Sequence, residues 1–180
     1  EQNAANIRLV DENKAKLVIC TSAPQNVVER TKMFERFWFA PLVDDPKKPG
    51  LTTRIVEITQ TPALNTGGTV GTAAWAFALS VLGCEDIAVV GMDLGYAMET
   101  PFQETQTFNM LKQYKNLHEF YPHFTTPYGE CYTDPMYWSY RENLLDLLKA
   151  NNATITNCSE HGMLFGDGVK NMELEEWLAS

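Results

Sequence analysis

The chain has 180 residues, 44% of them hydrophobic, and its formal net charge is −9. A chain of this length buries about two-thirds of its unfolded surface, so we expect a single globular domain over residues 1–180. The acidic balance excludes a long-range attraction to nucleic acid or anionic membranes, and no apolar run reaches the roughly 18 residues of a membrane span.

The first predicted element is a helix-like stretch over residues 1–16. A start without a strand indicates a fragment of a longer chain. Apolar and β-branched residues then predict strands at Lys16–Cys20 and 37–43. Between these strands, Pro24 is suited to begin a helix, which we expect over 25–36.

Prolines and a glycine predict a loop at 44–50. The segment 51–65 is expected to be irregular apart from a short strand at 54–58.

Apolar residues at three- and four-residue spacing predict a helix over 69–82. Gly83 ends that helix, and the strongest strand pattern of the chain follows at 87–93. A helix, a tight turn and a buried strand form one step of a βαβ layer.

The segment 94–132 is polar and rich in aromatic residues, and we expect a lid-like insert with a helix at 105–118. An Asp-Pro pair predicts a helix over 134–150, and a strand at 154–158 and a terminal helix at 172–179 follow. The alternation of strands and helices predicts an α/β fold, Rossmann-like and three-layered, with a mostly parallel sheet.

The four cysteines are widely spaced, without a C-x-x-C pair or a Cys/His cluster of the kind that binds zinc. We therefore expect reduced thiols, no metal site and a soluble, cytoplasmic protein.

A pair of glycines, Gly67 and Gly68, precedes the predicted helix at 69–82. In an open parallel sheet, ligands bind beyond the carboxyl ends of the strands, and glycines there let backbone N–H groups approach a phosphate closely. Asn65, Thr66 and Thr69 add polar groups to the same turn. The motif is neither a P-loop nor G-x-G-x-x-G, so a tight turn at a close helix–sheet contact is the alternative.

Further polar side chains follow two of the predicted strands. Asp93 ends the strand at 87–93, and Asn157, Ser159, Glu160 and His161 follow the strand at 154–158, on the same rim of the sheet. Asp93, Glu160 and His161 are candidate catalytic bases, while Asp93, Asn157 and Ser159 are candidate ligand-binding residues. An ordinary turn Asp and an ordinary polar turn are the alternatives.

The chain resembles the MptE-like family over residues 16–178. The resemblance rests on three motifs in order: Gly-Gly-Thr-Val from Gly67, Gly-Met-Asp-Leu from Gly91, and the turn at 157–162. That family includes motility-associated factors (Maf), linked to flagellin glycosylation, and archaeal 6-hydroxymethylpterin diphosphokinases. A more distant likeness is to Rossmann-like bacterial sialyltransferases, which use a nucleotide-activated sugar. The family domain begins with a strand and a Gly-rich loop, which we expect to be absent here.

The resemblance implies a transferase that binds a nucleotide or nucleotide-sugar, with donor phosphate at 67–69 and ribose, base or acceptor at Asp93 and Asn157. The sialyltransferase histidine has no counterpart at 129–132, so the resemblance does not supply the base. One alternative is ATP-dependent 6-hydroxymethylpterin diphosphokinase activity, which would need Mg²⁺. Another is a non-catalytic nucleotide-binding or assembly module, for which the aromatic residues of 120–140 would form a base-stacking or homo-oligomer surface. Packing of these residues in the core or in a lid is the alternative.

Overall fold

The structure, a computed structural model, describes residues 15–44 and 48–180. Most of the helix-like stretch predicted at 1–16, and the middle of the loop predicted at 44–50, lie outside the described residues. The chain divides into two compact units, with the boundary between Thr66 and Gly67. The single domain expected over 1–180 stays a prediction.

The first unit contains a parallel sheet of three strands in the order β1-β2-β3. Two helices, α1 and α2, connect these strands in chain order. The elements are β1 (Lys16–Cys20), α1 (Gln25–Arg30), β2 (Glu35–Leu42), α2 (Leu51–Thr59) and β3 (Ala63–Asn65). The two predicted strands, at Lys16–Cys20 and 37–43, are thus confirmed.

Helix α1 is shorter than the predicted 25–36, because it ends at Arg30. The hydroxyl of the buried Thr31 donates a hydrogen bond to the carbonyl of Val27 (2.8 Å) and occupies an acceptor of the last turn. The chain then turns, so that Arg36 lies in β2 opposite Leu17.

The prediction of a short strand at 54–58 is wrong, because this segment belongs to α2. Its β-branched residues favour a strand, but a carboxylate from outside the helix stabilises the helical start. Asp44 accepts hydrogen bonds from the backbone N–H groups of Gly50 (3.0 Å) and Thr53 (2.7 Å). The bond from Thr53 contributes most to holding the pKa of Asp44 below its usual value.

The second unit contains a parallel and an antiparallel sheet, each of three strands. The parallel sheet has the order β4-β8-β9 and the antiparallel sheet the order β5-β7-β6. The strands are β4 (Ala88–Val89), β5 (Tyr96–Ala97), β6 (His123–Thr126), β7 (Gly129–Tyr132), β8 (Ile155–Asn157) and β9 (Val169–Asn171). The helices are α3 (Val70–Ser80), α4 (Phe108–Leu111), α5 (Pro135–Ala150) and α6 (Leu174–Ala179), with 3₁₀ turns at Phe102–Glu104 and Leu117–Phe120.

Strand β4 is much shorter than the predicted 87–93 and is half-buried, not buried. The reason is that Gly91 has a left-handed φ of 71° and the hydroxyl oxygen of Ser159 accepts its N–H (2.9 Å). Asp93 therefore lies in a loop beyond the end of the strand.

The prediction of a helix over 105–118 is also wrong, since the structure has only the short helix α4 and the start of a 3₁₀ turn there. Thr105 and Thr107 are buried and contact the hydroxyl of Tyr121 at 2.8 Å and 3.4 Å. These tertiary contacts break the helical pattern. Whether the insert acts as a lid stays a prediction.

The long helices α3 and α5 and the strand β8 confirm the predictions at 69–82, 134–150 and 154–158. The terminal helix is confirmed as well, but it begins at Leu174 and the unpredicted strand β9 precedes it. The core of the second unit takes side chains from α5, from β8 and from the turn after β8. Its fully buried aliphatic side chains are Leu144, Leu148, Ile155, Met163 and Leu164.

The parallel pairs β1–β2, β2–β3, β4–β8 and β8–β9, with helices between the first three pairs along the chain, confirm the predicted Rossmann-like α/β class. In the described part of the chain, no helix has the length and apolar character that crossing a membrane requires.

Candidate functional site

The second unit contains a cavity of about 770 Å³. Its walls come from the start of α3, from the loop that follows β4 and from the first turns of α5. Known small-molecule sites have volumes of roughly 300–1,000 Å³, so the cavity is large enough for a nucleotide-sized ligand.

The glycine pair forms the turn that leads into α3. Gly67 and Gly68 have left-handed φ values of 53° and 93°. A Cβ at Gly67 would lie 2.6 Å from Cγ2 of Thr72, and one at Gly68 would lie 2.8 Å from the Tyr140 ring. The side chain of Asn143 donates a hydrogen bond to the Gly67 carbonyl (3.1 Å). Close packing against Thr72 of α3 therefore requires glycine at position 67, and close packing against Tyr140 of α5 requires it at position 68.

The first turn of α3 presents backbone donors to the cavity. Thr69 caps the helix, and its hydroxyl oxygen accepts the N–H of Thr72 (3.0 Å). Val70 and Gly71 line the cavity, and no described residue accepts their N–H groups. Free N–H groups and the positive end of the helix dipole favour an anion at this wall.

Among the described residues that line the large cavity, Asp93 is the one with an acidic side chain. Partial burial of the carboxyl group raises the pKa of Asp93, and the charge of the nearby His161 lowers it by a smaller amount. Within the described chain no donor forms a hydrogen bond with this carboxylate. A carboxylate with a raised pKa and no fixed partner is a suitable general base.

Asn157 and Ser159 are not on the cavity walls. The fully buried Asn157 donates to the Leu164 carbonyl and the Tyr128 hydroxyl (3.0 Å each), and its oxygen accepts the N–H of Ser159. The Ser159 hydroxyl oxygen in turn accepts the backbone N–H groups of Gly91 and Met92. Both residues hold the loop that carries Asp93 in place, and direct contact with a ligand stays a prediction for them.

The turn at 157–162 also contacts the backbone of Asp93. Gly162 has a φ of 100°, and a Cβ there would lie 2.2 Å from the Asp93 carbonyl oxygen. The N–H of Met163 donates to the same carbonyl oxygen (2.6 Å). The two remaining turn residues, Glu160 and His161, are both exposed. His161 lines a second, smaller cavity next to Asp93, whereas Glu160 lines neither cavity.

Asn65 and Thr66 belong to the first unit. Asn65 is the last residue of β3, opposite Leu42, and the N–H of the buried Thr66 donates to the Leu42 carbonyl (3.4 Å). Their predicted part in ligand binding stays a prediction.

Most of the cavity residues were not among the predicted site residues. Those with aromatic or polar side chains are Trp75, Gln106, Tyr137 and Tyr140. Tyr137 and Tyr140 lie one turn apart at the start of α5, and they belong to the aromatic segment that the sequence suggested for base stacking. Trp75 is 2% exposed, and no described residue accepts its Nε1–H. The signal for Trp75 was its place in the apolar helix, which equally indicates a core residue.

Among the described residues, His, Cys, Asp and Glu form no group of three that could hold a metal ion.

The large cavity combines helix N–H groups for an anion, aromatic rings for a planar group and one carboxylate for a proton.

No protein-family model matches the sequence, and no curated protein matches it. In fold, the chain is similar to the Maf glycosyltransferase from Magnetospirillum magneticum AMB-1, with a TM-score of 0.54 and 14% sequence identity. The match covers 94% of this chain and 28% of that protein, so the chain spans less than a third of that protein's length. The similarity is evidence of a distant relationship in fold, and membership of the MptE-like family stays a prediction.

Proposed function

We propose that the protein is a glycosyltransferase and that its large cavity binds a nucleotide-activated sugar. The observation that carries this proposal is the position of the α3 N-terminus and of Asp93 on the walls of one cavity. The fold similarity to a Maf glycosyltransferase supports the same class of reaction.

In the proposed complex, the donor phosphate lies at the N–H groups of Val70 and Gly71. Tyr137 and Tyr140 offer ring surfaces against which a nucleobase or sugar can pack. Helix N–H groups also stabilise the leaving phosphate as the sugar–phosphate bond breaks, because negative charge develops there.

Asp93 is the proposed general base for the acceptor. Its partial burial raises the pKa, which brings the carboxylate closer to the basicity that proton abstraction at neutral pH requires. The loop around it is held by Ser159 and Met163, so the carboxylate is preorganised.

The test is isothermal calorimetry with CMP-sugars, UDP-sugars and magnesium-ATP on the purified chain. We expect one nucleotide-sugar to bind and Ala74→Leu, which fills the large cavity from α3, to weaken that binding at least about tenfold, or 1.4 kcal/mol. Ala150→Leu is the matched control, because Ala150 is exposed and lines neither cavity.

If wild type and Ala74→Leu bind the nucleotide-sugar with equal Kd, the donor does not bind in the large cavity. Magnesium-dependent ATP binding without any nucleotide-sugar binding would contradict the proposal and favour the diphosphokinase alternative.

A further inference from the structure

A second cavity of about 130 Å³ lies next to the large one in the same unit. The two cavities share Asp93 and Gly95 on their walls. Asp93 is therefore a polar residue that lies on the walls of both spaces.

The small cavity differs from the large one in its lining. The antiparallel sheet contributes Ala97 and Glu130, and the turn at 157–162 contributes His161. These three residues are exposed, so the cavity opens to solvent at this side. Its volume corresponds to about four water molecules at roughly 30 Å³ each, which suits a hydroxyl-bearing end of a molecule better than a nucleotide.

The wall between the two cavities is fixed by contacts from distant parts of the chain. Gly162 packs against the Asp93 backbone at a distance that no side chain would allow, and Met163 donates to the Asp93 carbonyl. Tyr128, on the far wall, is held by Asn157 (3.0 Å) and Asn171 (2.6 Å). A site whose walls are held in this way can position two reactants without reorganising.

We propose that the small cavity is the acceptor subsite, which takes the hydroxyl group of an alcohol and presents it to Asp93. This inference rests on the proposed function, since it assigns the donor to the large cavity. His161 and Glu130 are the side chains available to bind the remaining polar groups of the acceptor.

The step balances with these two substrates alone. The acceptor oxygen forms a bond to the anomeric carbon of the donor, and the bond from that carbon to the phosphate oxygen breaks. The electron pair of the broken bond stays on the phosphate at the α3 N-terminus, and the acceptor proton moves to the Asp93 carboxylate.

The experiment measures two quantities on the same variants: the Kd for the nucleotide-sugar that binds wild type, and the glycosylated product formed from probe alcohols. The probes are glycerol, a methyl glycoside and N-acetylserinamide, detected separately by mass spectrometry so that the kind of acceptor is distinguished. Ala97→Leu fills the small cavity, and Ala150→Leu is again the control.

We expect Ala97→Leu to reduce glycosylated product at least tenfold while the donor Kd stays within twofold of wild type. His161→Ala, at an exposed position that lines the small cavity but not the large one, should lower product in the same way if Ala97→Leu fails to fold.

Undiminished product in Ala97→Leu or, should that variant not fold, in His161→Ala would overturn the acceptor assignment and leave the donor site intact. The same holds if wild type binds donor but glycosylates none of the alcohols. If wild type binds no nucleotide-sugar at all, the proposed function fails, and the acceptor assignment fails with it.

Discussion

At the scale of single residues, Gly68 and Asp93 shape two walls of the large cavity. Gly68 has a left-handed backbone and leaves no room for a Cβ beside Tyr140. Asp93 has a half-buried carboxyl group that Ser159 and Met163 position indirectly, through the backbone of the loop. Both features combine local geometry with a contact from far along the chain.

Gly68→Ala is expected to destabilise the protein by about 2–4 kcal/mol, because left-handed strain and a clash with the Tyr140 ring add together. Gly83→Ala is the matched control, since Gly83 has a φ of 70° and nothing within 4 Å of an added Cβ. Its cost should be only the strain, about 1–2 kcal/mol. Urea unfolding measures the loss of stability in both variants. An equal loss in Gly68→Ala and Gly83→Ala would argue against the clash with Tyr140.

Asp93→Asn is expected to raise the melting temperature at pH 7. Burial raises the folded-state pKa of Asp93 above its ordinary value of 3.8, so the ionised form destabilises the folded protein. The stability that a neutral Asp93 provides is complete below pH 3.8 and is lost as the pH rises through the folded-state pKa.

The difference in melting temperature between Asp93→Asn and wild type should therefore become smaller as the pH is lowered toward 4. Melting curves across this range, with the exposed Asp146→Asn as a charge-matched control, measure it. A constant difference between Asp93→Asn and wild type at every pH would contradict the assigned cause.

At the scale of elements, the start of α5 connects the cavity to the antiparallel sheet. The fully buried Asp134 accepts the N–H groups of Met136 and Tyr137 (2.9 Å each). Its second oxygen accepts the hydroxyl of Tyr96 (2.8 Å), and that hydroxyl accepts the N–H of Gln106 (3.0 Å). One cap residue thus positions Tyr137 and Gln106, which both line the cavity.

Asp134→Ala is expected to cost about 1–3 kcal/mol, because the cap is lost and the Tyr96 hydroxyl loses its acceptor. The control is Asp146→Ala, which removes an exposed carboxylate from the middle of the same helix and should change stability by less than about 0.5 kcal/mol. Denaturant unfolding distinguishes the two, and similar costs would mean that the Asp134 hydrogen bonds contribute little.

At the scale of the whole molecule, an anionic ligand is proposed for a protein with a net charge of −9. The described residues that line the large cavity include no Lys, Arg or His. In the proposed complex, the attraction therefore comes from backbone N–H groups and a helix dipole, which act only over a short range.

Donor binding should accordingly not weaken as the salt concentration rises from about 50 to 300 mM, since salt also screens repulsion by the net charge. Calorimetry over this range, with the corresponding uncharged nucleoside as the reference, measures the effect. A tenfold weakening with salt would mean that basic side chains bind the phosphate, and this would contradict the placement at α3.

Elements whose stability is local could be predicted from the amino-acid sequence. The apolar runs of β1, β2 and β8, the spacing of α3 and the Asp-Pro start of α5 each contain their own signal, and each was predicted at nearly the observed place. Turn and rim positions have recognisable residue types, which is why the sequence also suggested Gly68, Thr69 and Asp93, which line the large cavity. Their part in ligand binding stays a prediction.

Elements and side chains that depend on long-range hydrogen bonds were visible in the tertiary structure alone. Helix α2 forms where a strand was predicted because Asp44 satisfies N–H groups at its start, and β4 stops early because Ser159 binds the loop behind it. Asn157 resembles a ligand-binding side chain in sequence, yet its polar atoms are used inside the protein. Such hydrogen bonds join residues far apart in the chain, so no local pattern can specify them.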